Sequence, residues 1–133
     1  MRLRSLLFVP GDRPDRMEKA LKSDADAVIL DLEDSVLPER KPWARKDVAQ
    51  FLSSASREVT LMVRVNPLGS PDLAADLESI LSAKPDALVL PKSESGSSVA
   101  ELAAMLGLSH IPILPIATET PRAVFGLGTY GAV

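Results

Sequence analysis

Short apolar runs alternate with amphipathic stretches along the whole chain, and this strict alternation constrains the fold more than any other feature. The first run, residues 5–9, is stopped by Pro10-Gly11, residues that punctuate strands. Pro14 follows, suited to the first turn of a helix, with Met17, Ala20 and Leu21 at helical spacing. The pattern then recurs. Residues 27–32, 60–65, 87–90 and 111–117 read as strands, continuous and branched as in a sheet buried on both faces. Between them, Pro42 is expected to open a helix with Trp43, Val48, Phe51 and Leu52 as its buried stripe. Residues 72–83 carry Leu73, Leu77, Ile80 and Leu81 on one face. Ser97 or Ser98 is expected to cap a fourth helix, with Val99, Leu102, Ala103 and Leu106 inward and Gly107 as its stop. Pro112 and Pro115 confine the fifth strand to an edge, a strand start or a bulge.

Strict β-α alternation with short connections predicts an α/β protein with a parallel sheet and right-handed crossovers. Residues 1–133 are expected to form one domain. The strand centres, near Phe8, Ile29, Val63, Val89 and Leu114, recur about every 26 residues, so an eight-fold barrel would need roughly 210 residues or more. A five-strand open sheet fits 133 residues without remainder. Length alone therefore favours the open sheet, and the chemistry at the strand ends has to decide.

Composition excludes several function classes. Lys plus Arg is 15 against 18 Asp plus Glu, a net charge of -3, which lacks the basic footprint of nucleic-acid binding. There is no cysteine, so disulfides, thiolate metal sites and Cys nucleophiles are absent. No apolar run approaches the ~18 residues of a membrane span. Arg2 and Arg4 precede an apolar run too short for the ~7–15 residue core of a secretory leader. The expectation is a cytoplasmic protein with no membrane or nucleic-acid partner. The single histidine, His110, precedes the fifth strand at the rim away from the expected site. Gly126-Leu-Gly128 lies outside any strand–glycine–helix phosphate motif.

In parallel α/β folds ligands meet the carboxyl ends of the strands. Here those ends carry Asp12 and Arg13; Asp31, Glu33 and Asp34; Arg64 and Asn66; Lys92 and Glu94; and Glu119. By period two, Asp31 and Glu33 share one face, and Arg64 and Asn66 another. Strand bodies this apolar have no reason to hold Asp31 or Arg64 unless each is paired with the other, a metal or a ligand. Oxygen donors without thiols suit a hard divalent cation such as Mg²⁺, which takes one or two carboxylates and keeps waters. A neighbouring guanidinium offers a planar fork to a carboxylate or enolate. Metal plus Arg suits a 2-oxo acid and the charge that develops when a C–C bond breaks to an enolate.

Five segments taken together, RSLLFVPGDRPDRMEKAL, DAVILDLEDSV, VRVNPLGS, LVLPKSES and PIATETPRAV, resemble the HpcH/HpaI aldolase and citrate lyase β-subunit family, in order and over the whole chain. The similarity is strongest to the citrate lyase β-like branch, and malyl-CoA lyases share the anchors. The resemblance implies a TIM-type (β/α)8 barrel, of which this chain holds about the first five units. It implies Mg²⁺-dependent cleavage of a citryl- or malyl-type thioester, on CoA or an acyl carrier, to an oxo acid and an acetyl thioester through an enolate. Carried over, Glu119 would ligate Mg²⁺ and contact substrate. Arg64 would hold the oxo-acid carboxylate and polarise the enolate. Glu33 and Asp34 would bind metal-held waters, with Asp31 supporting Arg64. Arg16 and Lys22 would meet CoA phosphates, or else form a solvated helix face, and Lys92 would pair with the acids. The family's second metal carboxylate, an Asp after a sixth strand, falls beyond Val133. A half-open barrel exposes edges, so a homo-oligomer is expected. Two alternatives stay open: an inactive binding or assembly subunit, and a pyruvate-type aldolase, against which DLEDSV lacks a histidine after the Asp-x-Glu.

Overall fold

The computed structural model describes residues 3–56 and 58–133; Arg2, named above, lies outside them. Five strands, β1 (Leu6–Pro10), β2 (Ala27–Asp31), β3 (Thr60–Arg64), β4 (Ala87–Leu90) and β5 (Ile113–Pro115), form one all-parallel sheet in sequential order. Five helices, α1 (Pro14–Leu21), α2 (Lys41–Ser54), α3 (Leu73–Ile80), α4 (Gly96–Leu106) and α5 (Pro121–Gly126), follow the strands in turn. Five parallel strands in chain order, each followed by a helix, are the α/β arrangement of a TIM-type barrel wall rather than of a doubly wound sheet, whose order reverses at a switch point. Among the described residues no helix is long and apolar enough to cross a membrane.

The alternation of side chains along each strand splits the apolar residues into two layers. Val28, Leu30, Leu61, Val63, Leu88 and Leu90 pack under the helices with Met17, Val48, Leu52 and Ile80. Each such side chain, removed from water, contributes about 1.5–3 kcal/mol. Ala27, Ile29, Met62, Ala87 and Val89 form a smaller cluster on the opposite face. Leu6 and Phe8 on β1 are 38% and 45% exposed. Parity therefore decides where the strand-end charges point: Asp31 continues the row of Ile29, and Arg64 the row of Met62.

The register brings the carboxyl ends level. Pro10 pairs with Asp31 and Asp31 with Arg64. The ladder then runs one step further, through Gly11 N–H to Asp31 O at 2.8 Å and Leu32 N–H to Arg64 O at 2.9 Å. A Cβ on Gly11 would sit 2.5 Å from Asp31 O, so only glycine permits that approach.

Several expectations needed correction. Trp43 is 55% exposed under the Arg40 guanidinium rather than in a buried stripe. A 3-10 turn, Pro38–Arg40, leads into the helix, and at about 100° per residue Trp43 lies roughly 80–180° around from the inward Ala44, Val48, Phe51 and Leu52. The helix over 72–83 is α3 followed by a 3-10 turn, Leu81–Ala83, closed by Lys84 with φ +51°. α4 begins after Ser95, not Ser97 or Ser98. β5 is only three residues long, because Pro112 and Pro115 limit its ladder; it is an edge strand, as its prolines require.

α5 and the 3-10 stretch after it, Leu127–Ala132, were not anticipated. Close packing accounts for Gly126 of the Gly126-Leu-Gly128 pair. A Cβ on Gly126 would lie 2.1 Å from Glu94 O, whereas one on Gly128 meets nothing within 4 Å. Gly126→Ala is therefore expected to destabilise the chain by about 1–3 kcal/mol, and Gly128→Ala by less than about 1 kcal/mol. Urea denaturation of both variants checks this; equal effects would contradict it.

Candidate functional site

β2 and β3 end side by side on a charge pair that the sheet builds directly. Asp31 is fully buried, and the Arg64 side chain is 12% exposed. Arg64 Nε donates to Asp31 Oδ1 and Nη2 to Oδ2, both at 2.7 Å, the parallel fork that gives Arg–carboxylate pairs their strength. Asp31 also takes the backbone N–H of Glu33 at 2.9 Å and of Ser35 at 3.0 Å, with the Ser35 hydroxyl. The loop after β2 thus wraps around its own last strand residue. The Phe8 ring lies 4.7 Å below the guanidinium, within cation–π range.

Burial by itself would push the Asp31 carboxyl up. The Arg64 fork, the Ser35 hydroxyl and the Glu33 N–H outweigh it and hold the group below its ordinary value of 3.8. For Arg64 burial opposes the charge and the Asp31 bonds outweigh it, raising its pKa.

A second acid enters from the same loop. Glu33, 3% exposed, places Oε2 at 3.1 Å from Arg64 Nη1. That contact lacks hydrogen-bond alignment, so Glu33 Oε2 is a buried carboxylate oxygen with no hydrogen-bond donor among the described residues. Its other oxygen pairs with the Lys92 ammonium, which also lies 3.5 Å from Asp34. Glu33 raises the pKa of Lys92 against a small opposing effect of burial. Lys92 N–H in turn donates to Glu119 Oε2 at 2.6 Å. The chain Arg64–Glu33–Lys92–Glu119 spans the ends of β2, β3, β4 and β5 on one rim.

Asp31, Glu33, Asp34, Arg64, Lys92 and Glu119 therefore come together. Arg16 and Lys22 do not join them: both are exposed, Lys22 just after α1 and Arg16 on it, where Arg16 borders a surface hollow with Leu7, Pro10, Lys19 and Ser23. His110 is exposed in the loop before β5, at the amino end of the strand. Asn66 does not share the face of Arg64. The chain leaves the strand after Arg64, and Asn66 turns under the helices, donating to Asp76 Oδ2 at 2.7 Å and Leu32 O at 3.0 Å.

That turn exposes a polar network the sequence reading missed. Lys41 Nζ donates to Leu32 O (2.8 Å), Glu33 O (3.2 Å) and Asn66 Oδ1 (2.6 Å). Asp76, fully buried, takes Arg45 Nε at 2.8 Å. Together these groups satisfy the backbone behind the Glu33 loop. The available signal was Asp76 on the apolar face of α3, four residues from Asp72 and facing Arg45.

Removing Arg64 would leave the buried Asp31 carboxylate without its cation and Glu33 with Lys92 as its remaining one among the described residues. Arg64→Met is expected to cost about 3–5 kcal/mol in urea denaturation at pH 7. Asp31 has a depressed folded pKa, so its stabilisation is present above the ordinary value of 3.8 and disappears as pH falls through the lower folded value. Asp31→Asn is expected to be less stable at pH 7 and to show a flatter decline in stability below about pH 4; an unchanged acid limb would contradict this.

Known proteins are similar to this chain in sequence and fold. The HpcH/HpaI aldolase/citrate lyase family model matches residues 4–110. A citrate lyase subunit beta-like protein of Deinococcus radiodurans is 42% identical over 119 residues, 86% of this chain and 41% of its own length. A (3S)-malyl-CoA thioesterase of Cereibacter sphaeroides is 36% identical over 85% of this chain and 38% of its own. The chain thus spans about two-fifths of the length of these curated relatives. A solved citrate lyase beta subunit from Mycobacterium tuberculosis, complexed with oxaloacetate and magnesium, superposes with a TM-score of 0.79 at 36% identity, covering 96% of this chain and 52% of that one. With the barrel-wall topology and the matched segment in agreement, the chain belongs to the HpcH/HpaI aldolase/citrate lyase family.

Proposed function

We propose that this rim binds an oxo acid and a divalent cation in a carbon–carbon lyase of the citrate lyase β-subunit type, acting on a citryl- or malyl-type thioester. The observation that carries the reading is the buried guanidinium of Arg64, clamped by Asp31 and faced by Glu33 at the mouth of the sheet. The oxaloacetate and magnesium of the M. tuberculosis structure and the malyl-CoA thioesterase relative support it.

Arg64 has five N–H donors. Two serve Asp31 and one faces Glu33. Two remain to grip a substrate carboxylate or oxo oxygen. In the proposed reaction the substrate hydroxyl loses its proton and the C–C bond breaks. Its electron pair passes into the thioester enolate, which then takes a proton at carbon, and the oxo acid leaves. Arg64, held rigid by Asp31, stabilises negative charge without reorganising as it forms.

Oxygen donors at this rim fit magnesium, which keeps most of its waters and asks for only one or two carboxylates. Glu119 would ligate it directly; Glu33, through its donor-less Oε2, and Asp34 would hold metal-bound waters. When bound, the ion supplies a Lewis-acidic centre that an oxo acid can chelate. Arg16 and Lys22 remain candidates for thioester phosphates only as exposed cations on and just after α1. Self-association of the single domain is part of the proposal, supported by the apolar exposure of Leu6, Leu7 and Phe8 on an edge strand.

A second reading, a non-catalytic binding subunit, is favoured by one observation: among the described residues no three His, Asp or Glu side chains converge as a metal cage. Calorimetric titration separates the two. The lyase reading expects heat from Mg²⁺ and oxaloacetate. It expects at least a tenfold loss of Mg²⁺ affinity in Glu119→Gln, and of oxaloacetate affinity in Arg64→Lys, which keeps the charge and loses the fork. Absence of heat with both ligands would support the second reading.

A further inference from the structure

Lys92 lies just past β4 with φ +50°, in the left-handed region that residues with a Cβ avoid. Lys84, the other such residue among those described, closes a 3-10 turn, donating its N–H to Leu81 O. Lys92 closes no helix. Such a conformation persists only where its surroundings over-determine it, and here they do so from two sides. The backbone N–H meets Glu119 Oε2 at 2.6 Å, while Nζ meets Glu33 and Asp34. The following residue is anchored as well: Ser93 N–H donates to Ile116 O at 3.2 Å, and its hydroxyl bonds Tyr130 at 2.8 Å.

We infer that Lys92 is a positioning residue for two acids of the site, Glu119 and Glu33: its left-handed backbone aims an N–H at Glu119 while its ammonium holds Glu33 beside Arg64. The inference rests on the lyase reading for what the acids bind, but not for the geometry itself. The two roles separate chemically. The backbone role needs the left-handed conformation and is indifferent to the side chain's charge. The side-chain role needs the ammonium alone. A charge-assisted bond from a backbone N–H to a carboxylate fixes where that carboxylate sits. The ammonium, half-exposed at 42%, balances a buried acid that would otherwise have Arg64 as its sole cationic contact.

Three variants of the 133-residue chain divide these roles, and all three delete the charge. Lys92→Met keeps the backbone preference. Lys92→Gly favours positive φ. Lys92→Val adds β-branching, which opposes it, so its difference from Lys92→Met reads the backbone role. The ligand-free readout is the amide proton of residue 92 by NMR, whose spectrum also reports that each variant is folded. In the parent chain that proton is expected to be downfield and protected. Glu119→Gln should move it upfield and speed its exchange about tenfold, as should Lys92→Val, while Lys92→Gly and Lys92→Met keep it protected. In calorimetry, Lys92→Val is expected to weaken Mg²⁺ binding about tenfold. Lys92→Met and Lys92→Gly should leave Mg²⁺ within about threefold and weaken oxaloacetate about tenfold. An amide indifferent to Glu119→Gln overturns the backbone role. Oxaloacetate binding unchanged in Lys92→Met and Lys92→Gly overturns the ammonium role. If the amide responds as described but the parent chain binds neither ligand, the lyase reading fails and the positioning by Lys92 stands.

Discussion

A guanidinium and a carboxylate meeting in register at the ends of two adjacent parallel strands set the rest of this site. Arg64 and Asp31 are partners in the sheet ladder itself, so the pair exists as soon as β2 and β3 align. A slip of either strand by one residue would turn its charge into the apolar layer under the helices, away from the partner left on the other face. The charge pair and the hydrophobic layers therefore select the same register. That agreement between levels is what lets an otherwise costly buried pair persist.

From that pair the site grows by attachment. Asp31 folds the β2 loop back on itself and presents Glu33. Lys41, Asn66 and Asp76 satisfy the carbonyls and amides behind that loop. Lys92 brings in the end of β4 and, through its N–H, Glu119 after β5. Arg64 and Lys92 alternate with Asp31, Glu33 and Asp34 along the rim, and each of these three acids has a cation within 3.5 Å. Such a rim offers oxygen ligands to a hard cation and spare guanidinium donors to an anion, which is the pair of demands an oxo acid chelating a metal makes.

The fold was legible because branched apolar runs, closed by Pro10, Asn66-Pro67 and Pro91, alternate with amphipathic stretches. The strand-end acids and Arg64 were legible for the same reason: charge is conspicuous at the end of a run such as residues 27–31. Three things were not. Asn66 follows period two on paper, but the strand ends before it and the side chain turns to Asp76. Trp43 is apolar on paper, but it stands five residues, about 140° of turn, from Val48 and so falls off the inward stripe that Val48, Phe51 and Leu52 form. The left-handed backbone of Lys92 leaves no mark in sequence, because lysine carries no preference for it and the bonds that impose it come from residues 33 and 119.

A divalent cation and an oxo acid that share one rim are coupled by reciprocal linkage. Two ligands in contact must raise each other's affinity by the same factor. Oxaloacetate carrying ¹³C, followed by NMR while Mg²⁺ is titrated in, reads that factor on the unmodified chain. The account predicts oxaloacetate binding at least about tenfold tighter with saturating Mg²⁺, and Mg²⁺ binding tighter by the same factor with saturating oxaloacetate. Binding of each ligand that is indifferent to the other would contradict it.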